Sequence, residues 1–333
     1  MDAPPGPRLL DRVRDRIRLK HYSRSTESTY VHWIRRYILF HGKQHPDVLG
    51  ESEVESFLTH LARNESISAS AQNQALAALL FLYKHVLDQP LEEEINATRA
   101  KQHAHIPTVL APEEIRTLLN QMKGTPRLMA ELTYGSGMRL QEVHSLRVQH
   151  LDFAARRIHV FNGKGRRDRI TLLPVSLIPQ LDSHLLRVKA LHGEDLRRGY
   201  GRSVYPAAYA HRTTRSTPDF GWQFVFPSQK LFRDRKTGVS GRWHSNPSAL
   251  QRAVKRAAAE AGIRRRVTVH CLRHSFATHL LKSGTDIRVI QSLLGHRDLA
   301  TTMVYAHIVD SHRLTATSPL DLLVDDVRAH ALR

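Results

Sequence analysis

Apolar residues recur every three or four positions along most of this chain, the spacing of amphipathic helices. Residues 9–17 read as a short basic helix. Residues 25–40 read as a longer one, with Tyr30, Trp33, Ile34, Tyr37 and Ile38 on one stripe. Residues 51–61 and 70–87 continue the pattern, the last with Leu76, Leu79, Leu80 and Leu82. This predicts an all-helical domain over residues 1–94. The periodicity then fades into a polar, basic stretch that we read as a linker over 95–108. A second domain spans 109–333. It opens at Pro112-Glu113-Glu114, with proline in the first helical turn and acids at the positive end of the helix dipole. Residues 157–161 and 169–174 read as two strands, joined by the turn Asn162-Gly163-Lys164-Gly165-Arg166-Arg167-Asp168. The expected fold class is mainly α with a small antiparallel β-sheet (α+β).

Three more helices are predicted toward the C-terminal end. Leu272, Phe276, Leu280 and Leu281 share one face, and Lys282-Ser283-Gly284 is a stop signal. Ile287, Ile290, Leu293 and Leu294 mark a second helix, which Gly295 ends. A third starts near Asp298, a favourable N-cap, and carries Tyr305. Short helices joined by tight turns bring separate side chains to one point. Here those side chains are His270, Arg273, His274, His296 and Tyr305.

Composition names the partner. The 333 residues leave room for two domains, and 41% hydrophobic residues suffice for ordinary cores. The charge is unusual: 50 Lys+Arg against 31 Asp+Glu give +19, with 22 His besides. Such a balance points to nucleic acid. Residues 187–266 are the most basic part, with 18 Lys+Arg against 5 Asp+Glu. A single cysteine excludes an internal disulfide framework and fits a reducing cytosol. No run of about 18 apolar residues is present, so neither a transmembrane helix nor a membrane partner is expected. The opening MDAPPGPRLL lacks the apolar region of a signal peptide, and a cytoplasmic location is expected.

The C-terminal cluster has residue types suited to one chemistry. Arginine offers a planar fork of donors that fits phosphate oxygens. Histidine titrates near neutrality and can pass a proton. A tyrosine hydroxyl becomes a usable nucleophile beside guanidinium groups and a base. Positive charge is needed where a phosphorane builds up negative charge. His270 and His274, four residues apart, could also form a metal pair. The zinc-protease pattern, however, needs Glu where Cys271 stands, and no metal is expected. Upstream, Gly135-Ser136-Gly137 breaks one helix and starts another. It puts Arg139 in a first turn, with Glu142 three residues on and on the same face.

In order and spacing, His270-Cys271-Leu272-Arg273, Leu293-Leu294-Gly295-His296 and Thr301-Thr302-Met303-Val304-Tyr305-Ala306-His307 resemble the C-terminal signature of the tyrosine recombinases. That family includes phage integrases, chromosome-dimer resolvases and integron integrases. The resemblance is strong from about residue 110 to 310 and weaker before it. It implies a helical core-binding domain and a catalytic domain that clamp DNA in a C shape. It implies that Tyr305 attacks the scissile phosphate, leaving a 3′-phosphotyrosyl bond and a free 5′ hydroxyl. Arg139 and Arg273 would hold the non-bridging oxygens, with Glu142 supporting Arg139. His270 would handle the tyrosine proton, His296 would support the phosphate, and Lys164 would protonate the leaving oxygen. Arg166 would bind phosphate. The covalent link conserves bond energy, so no ATP, metal or other cofactor is implied.

Residues 191–218, rich in Gly, Arg, Tyr and His, look like an insertion most similar to that of the integron integrases. Those enzymes grip bases that protrude from a folded single-stranded cassette site. Trp222 is the first candidate for such a platform, with Trp243, His244 and Arg242 beside it. A histidine pair would be expected where Trp243-His244 stand, which leaves the part of Trp243 open. Phe224 and Phe226 read as core. In the family a C-terminal tail, here with Leu320, Leu322, Leu323, Val324 and Val327, docks on a neighbouring subunit. A homo-tetramer on DNA with tail exchange is therefore implied. The rival readings are a phage-type or Xer-like integrase acting on duplex sites, a type IB topoisomerase, and a non-enzymatic DNA-binding regulator. The last explains the charge but not the Arg139, Lys164, Arg273 and Tyr305 set.

Overall fold

Ser23 and Ser68 fix the starts of the two longest helices of the N-terminal unit. Each hydroxyl accepts from a first-turn N–H, that of Thr26 at 3.1 Å and of Ala71 at 3.2 Å. The computed structural model describes residues 8–65, 67–91, 95–100, 107–161, 168–205, 216–233 and 238–306. It divides into two units, Met1–His105 and Ile106–Arg333.

The first unit packs four helices, α1 (Leu9–Leu19), α2 (Arg24–Phe40), α3 (Glu51–Arg63) and α4 (Ala69–Leu82). Their apolar stripes bury Val13, Ile17, Ile34, Tyr37, Phe57, Leu58, Leu61, Leu79 and Leu82 in one core. A π-helical turn, Tyr83–Leu87, follows α4. It aims the Tyr83 hydroxyl inward, 2.9 Å from that of Tyr37 and 3.0 Å from the carbonyls of Pro46 and Leu49. Residues 95–100, within the stretch read as a linker, are pinned to this unit. The Gln72 amide donates to Thr98 O at 2.7 Å and accepts from Ala100 N at 2.9 Å.

The second unit starts with α5 (Pro112–Asn120), α6 (Gly124–Ser136) and the short α7 (Leu140–His144). Strands β1 (Leu151–Asp152), β2 (Arg157–Val160) and β3 (Arg169–Leu172) form an antiparallel sheet in that order. Helix α8 (Ile178–Arg197) leads to two small ladders, β4 (Ser203–Val204) with β5 (Ser216–Thr217), and β6 (Pro227–Arg233) with β7 (Ser240–His244). Residues 191–197, the beginning of the expected insertion, therefore continue α8. Helices α9 (Pro247–Glu260), α10 (Val269–Lys282), α11 (Ile287–Leu294) and α12 (Ala300–Met303) are the last elements among the described residues. Tyr305 lies in the turn just past the four-residue α12, whereas the sequence placed it on the helix itself.

α6 and α10 are packed so closely that a Cβ on Gly137 would lie 2.5 Å from the Phe276 ring. Gly137 also takes φ +65° to end α6, a conformation that favours glycine. This turn is what carries Arg139 to the tip of α7, next to α10. Among the described residues, no helix is long and apolar enough to cross a membrane.

Candidate active site

Five of the predicted residues come together where α7, α10, α11 and the turn after α12 converge. Arg139 is the N-cap of α7, and its backbone N–H donates to the Glu142 carboxylate at 2.7 Å. Its guanidinium reaches back to the same carboxylate at 2.8 Å and keeps about a third of its surface open. Arg273, on α10, is buried. It donates to Gly137 O, to Leu294 O at 2.8 Å and to His296 Nε2 at 3.2 Å. One guanidinium thus ties the turn before Arg139 to the end of α11. Burial and the nearby Arg139 lower its pKa to about 9, which leaves it charged at neutral pH.

The sequence reading did not find Arg169, on β3. Its guanidinium grips both Glu142 oxygens, at 2.8 and 2.5 Å, and donates Nε–H to Leu293 O at 2.8 Å. Arg169 and Arg273 therefore satisfy two successive carbonyls at the negative end of α11. Gly295 ends that helix at φ +63°, and a Cβ there would lie 2.7 Å from Arg169 Cδ. Burial alone would push the Glu142 carboxyl up. The hydrogen bonds and charge of Arg169, with those of Arg139, outweigh burial and hold it at about 2. Three guanidinium groups face this single carboxylate, so the site stays net positive.

His296 stacks on Tyr305, with ring planes 16° apart. Its Nδ1 lies 2.9 Å from the Thr302 hydroxyl, and its Nε2 accepts from Arg273. Burial, then Arg273, Arg139 and Arg169, lower its pKa to about 4, so the ring is neutral at pH 7. Tyr305 is only 3% exposed, set among Phe276, Ala277, Ile290 and Leu294. Burial raises its pKa despite Arg273 and Arg139. Its hydroxyl lies 3.0 Å from His274 Nδ1. In this structure His274, rather than His270, is the imidazole within hydrogen-bond distance of the phenol. His270 stands at the surface, and the protein behind it, Arg273 and Arg139 lower its pKa. Lys164 and Arg166 lie outside the described residues.

Residues 108–312 match the phage integrase family, and residues 9–93 match the phage integrase N-terminal SAM-like domain. The chain belongs to the phage integrase family. An integrase/recombinase of Escherichia coli is 45% identical over 318 residues, 95% of this chain and 94% of that protein. Tyrosine recombinase XerA of Thermococcus onnurineus (strain NA1) is 29% identical over 310 residues, covering 91% of this chain and 92% of the relative. The Tn1549 transposon integrase, solved in complex with transposon right end DNA, shares the fold. It matches with a TM-score of 0.61 at 15% identity, over 97% of this chain and 99% of that one. This integrase is a tyrosine recombinase of the phage integrase and Xer type, an enzyme that cuts and rejoins DNA.

Other residues expected at the DNA take varied places in the integrase. Trp222 is buried, against the first expectation of an open stacking platform. Its indole meets Tyr205 edge-on at 4.8 Å and lies under the Arg147 guanidinium, 5.6 Å from the ring centroid. Buried Arg147 also donates to Trp222 O and to Val204 O, which ties this aromatic to the core. Arg242 is likewise engaged inside the fold. It forms a bidentate pair with buried Asp195 at 2.5 and 2.9 Å, and it donates to the carbonyls of Ser228 and Gln229. Trp243 is the open ring, 43% exposed on β7, with Phe232 of β6 at 6.0 Å and 48% exposed. His244 beside it is half-buried, and its Nδ1 lies 2.8 Å from Ser245 O. Phe224 and Phe226 are core, as read.

The integrase is expected to lose stability as pH falls below neutrality. Burial, with nearby positive groups, lowers His144 and His150 to about 4, as it does His296. An unfolded histidine titrates near 6.5. The unfolded chain therefore binds more protons between about pH 6.5 and 4. Stability is full above that window and is lost within it. Buried His144 and His150 each contribute on the order of 2–3 kcal/mol by the window's lower end, and half-buried His296 less. Glu142 adds a second loss between about pH 4.5 and 2, with its paired carboxylate protonated last. Urea midpoints at pH 7.5, 6.0 and 5.0 check the first window. A midpoint that does not fall from 7.5 to 5.0 would contradict it.

Proposed function

We propose that this recombinase is an integron integrase. It inserts and excises gene cassettes, cutting folded single-stranded sites through a 3′-phosphotyrosyl intermediate on Tyr305. The observation that carries the chemistry is the meeting of Arg139, Arg273, His296 and Tyr305 at one point, with Glu142 held by Arg139 and Arg169. Arg139 presents its open guanidinium to the non-bridging oxygens, and Arg273 supplies fixed charge from beneath. His296, neutral and stacked on the phenol, supports the phosphate. His270, at the surface beside both arginines, serves as a further phosphate donor. Lys164 protonates the leaving 5′ oxygen, and Arg166 binds phosphate. The partner strand's 5′ hydroxyl then reverses the step on a new junction, so energy is conserved without ATP or a metal.

The integron branch is supported by the exposed Trp243 and Phe232 rings within the most basic segment of the chain. An aromatic face in a basic groove stacks an unpaired base without reading its sequence. Half-buried His244 flanks that face. Phe224 meets Trp243 at 5.5 Å, and the Arg147 guanidinium lies over both Phe224 and buried Trp222. On DNA the enzyme works as a homo-tetramer that exchanges its C-terminal tails.

Covalent capture tests the reading. The protein is incubated with a suicide hairpin carrying protruding bases and with the matching perfect duplex. A denaturation-resistant adduct that favours the hairpin is expected. Equal or better capture on the duplex would assign the chain to the duplex-acting integrases. Tight binding with no adduct on either DNA would sink the nucleophile assignment.

A further inference from the structure

A phosphate oxygen has no hydrogen to give, so an imidazole can support it only as a donor. His296 is not set that way in the free integrase. Its Nε2 lies 3.2 Å from Arg273 Nη2, and a guanidinium offers hydrogens and no lone pair. Nε2 therefore accepts. Burial, then three guanidinium groups, hold the pKa at about 4, so the ring carries one proton at pH 7, and that proton sits on Nδ1. Nδ1 faces the Thr302 hydroxyl at 2.9 Å, which accepts it. For Nε2 to donate to phosphate, the two ring nitrogens must exchange roles.

The fold supplies a partner that suits both states. The His296 backbone is fixed: its N–H donates to Gln291 O at 3.2 Å, and its carbonyl accepts from the Gln291 amide at 3.3 Å. Thr302 is fixed by the turn of α12, where Asp298 Oδ1 accepts from Ala300 N at 3.0 Å and Leu299 O accepts from Thr302 N at 2.7 Å. Thr301 beside it is exposed, whereas Thr302 is fully buried, with its hydroxyl at the ring. A carbonyl in that place would hold the proton on Nδ1, and an ammonium would hold it on Nε2. A hydroxyl serves either tautomer, because it carries one donor and two lone pairs and rotates to suit. Met303 and Val304, both exposed, separate Thr302 from Tyr305, so the phenol can swing to a phosphate while Thr302 stays at the ring.

We propose that Thr302 is a positioning residue for strand cleavage: its hydroxyl rotates from accepting to donating at His296 Nδ1, and this turns Nε2 from an acceptor for Arg273 into a donor for the scissile phosphate. The proposal rests on the reading of His296 as a phosphate support. Water takes the proton from Nδ1 and returns one at Nε2, so the ring stays neutral and no proton is gained or lost overall. His296 is half-buried, which gives that exchange access to water. The Arg273 N–H that faced Nε2 then faces the same phosphate.

Single-turnover cleavage on whichever suicide DNA gives the wild-type adduct tests it. Thr302→Val keeps the branched shape without the hydroxyl, and Thr302→Ser keeps the hydroxyl. Thr302→Val is expected to bind DNA like wild type and to cleave about tenfold more slowly, the worth of one hydrogen bond at the ring. Thr302→Ser is expected to recover most of that rate. In a His296→Ala background Thr302→Val should cause no further loss, because Thr302 acts through the ring. An equal loss in both backgrounds would overturn the proposal, as would wild-type cleavage by Thr302→Val. His296→Ala judges the underlying reading separately: cleavage at the wild-type rate would remove His296 from the phosphate, and the proposal with it. Nitrogen NMR of the imidazoles in Tyr305→Phe, which is expected to bind DNA without reacting, reads the tautomer directly. The signals that disappear when His296→Ala is added belong to His296. A proton on Nδ1 without DNA and on Nε2 with it is expected. The same tautomer in both states, or an imidazolium in the complex, would overturn the proposal.

Discussion

Tyr305→Phe is expected to fold, to bind DNA with unchanged affinity and to form no denaturation-resistant adduct. The substitution removes one oxygen from a ring otherwise enclosed by Phe276, Ala277, Ile290 and Leu294, so the phenyl group stays in place. The loss to the fold is the hydrogen bond to His274, about 1 kcal/mol, or a fall in Tm of about 2–4 °C for a unit of this size. The loss to the chemistry is total, because the phosphotyrosyl bond needs the missing oxygen. Gel shift on native gels and adduct on denaturing gels separate the two effects. An adduct of wild-type abundance from Tyr305→Phe would remove Tyr305 as the nucleophile.

The legible part of this site lies where function and helix ends coincide. His270 stands in the first turn of α10 with Arg273 one turn on, and Gly295, His296 and Tyr305 sit just past the ends of α11 and α12. There a stop signal or a cap fixes both the chain path and the direction of the side chain. Arg139 was readable for the same reason, as the N-cap of α7 after a Gly-Ser-Gly break. Arg169 was not readable because its strand inverts the usual pattern. In β3 the polar Arg169 and Thr171 are buried, and the apolar Ile170 and Leu172 are 44% and 42% exposed. A period-two reading of Arg-Ile-Thr-Leu puts the wrong face inside. The partners that reverse it, Glu142 and Leu293, stand 27 residues before Arg169 and 124 after it, beyond any local pattern.

The aromatic residues of the basic segment failed for a related reason. Trp222 and Trp243 look alike in sequence, each an indole beside a second aromatic ring in the most basic part of the chain. Burial of Trp222 depends on Arg147, 75 residues upstream, whose guanidinium lies over Trp222 and Phe224 and whose donors hold the Trp222 and Val204 carbonyls. Trp243 is open although buried Gly241 stands two residues before it on the same face of β7, so strand alternation does not set its exposure. Arg242 faced a similar ambiguity: an arginine between a glycine and a tryptophan suits phosphate, yet buried Asp195 captures it. A long-range charged partner decided the places of Trp222 and Arg242.

Arg169→Met is expected to be the most destabilising single change in the site. Methionine fills much of the same volume and keeps the apolar stem, so the effect reads the guanidinium alone. Without it, Glu142 keeps only Arg139, and Leu293 O loses its donor at the end of α11. Breaking a buried ion pair from one side costs about 3–5 kcal/mol, because the remaining charge stays desolvated. Urea unfolding followed in the second unit measures it. Adding Glu142→Gln to Arg169→Met removes that stranded charge and is expected to recover at least half of the loss, a recovery that simple loss of packing would not give. Cleavage should fall further than binding in Arg169→Met. There Glu142 is left to neutralise Arg139, the open guanidinium that meets the phosphate in the proposed reading. In the double variant Arg139 regains its net charge, and cleavage should rise again relative to Arg169→Met. A loss below about 1 kcal/mol for Arg169→Met, in the range of exposed pairs, would show that the three-way tie among α7, β3 and α11 does not hold the site together.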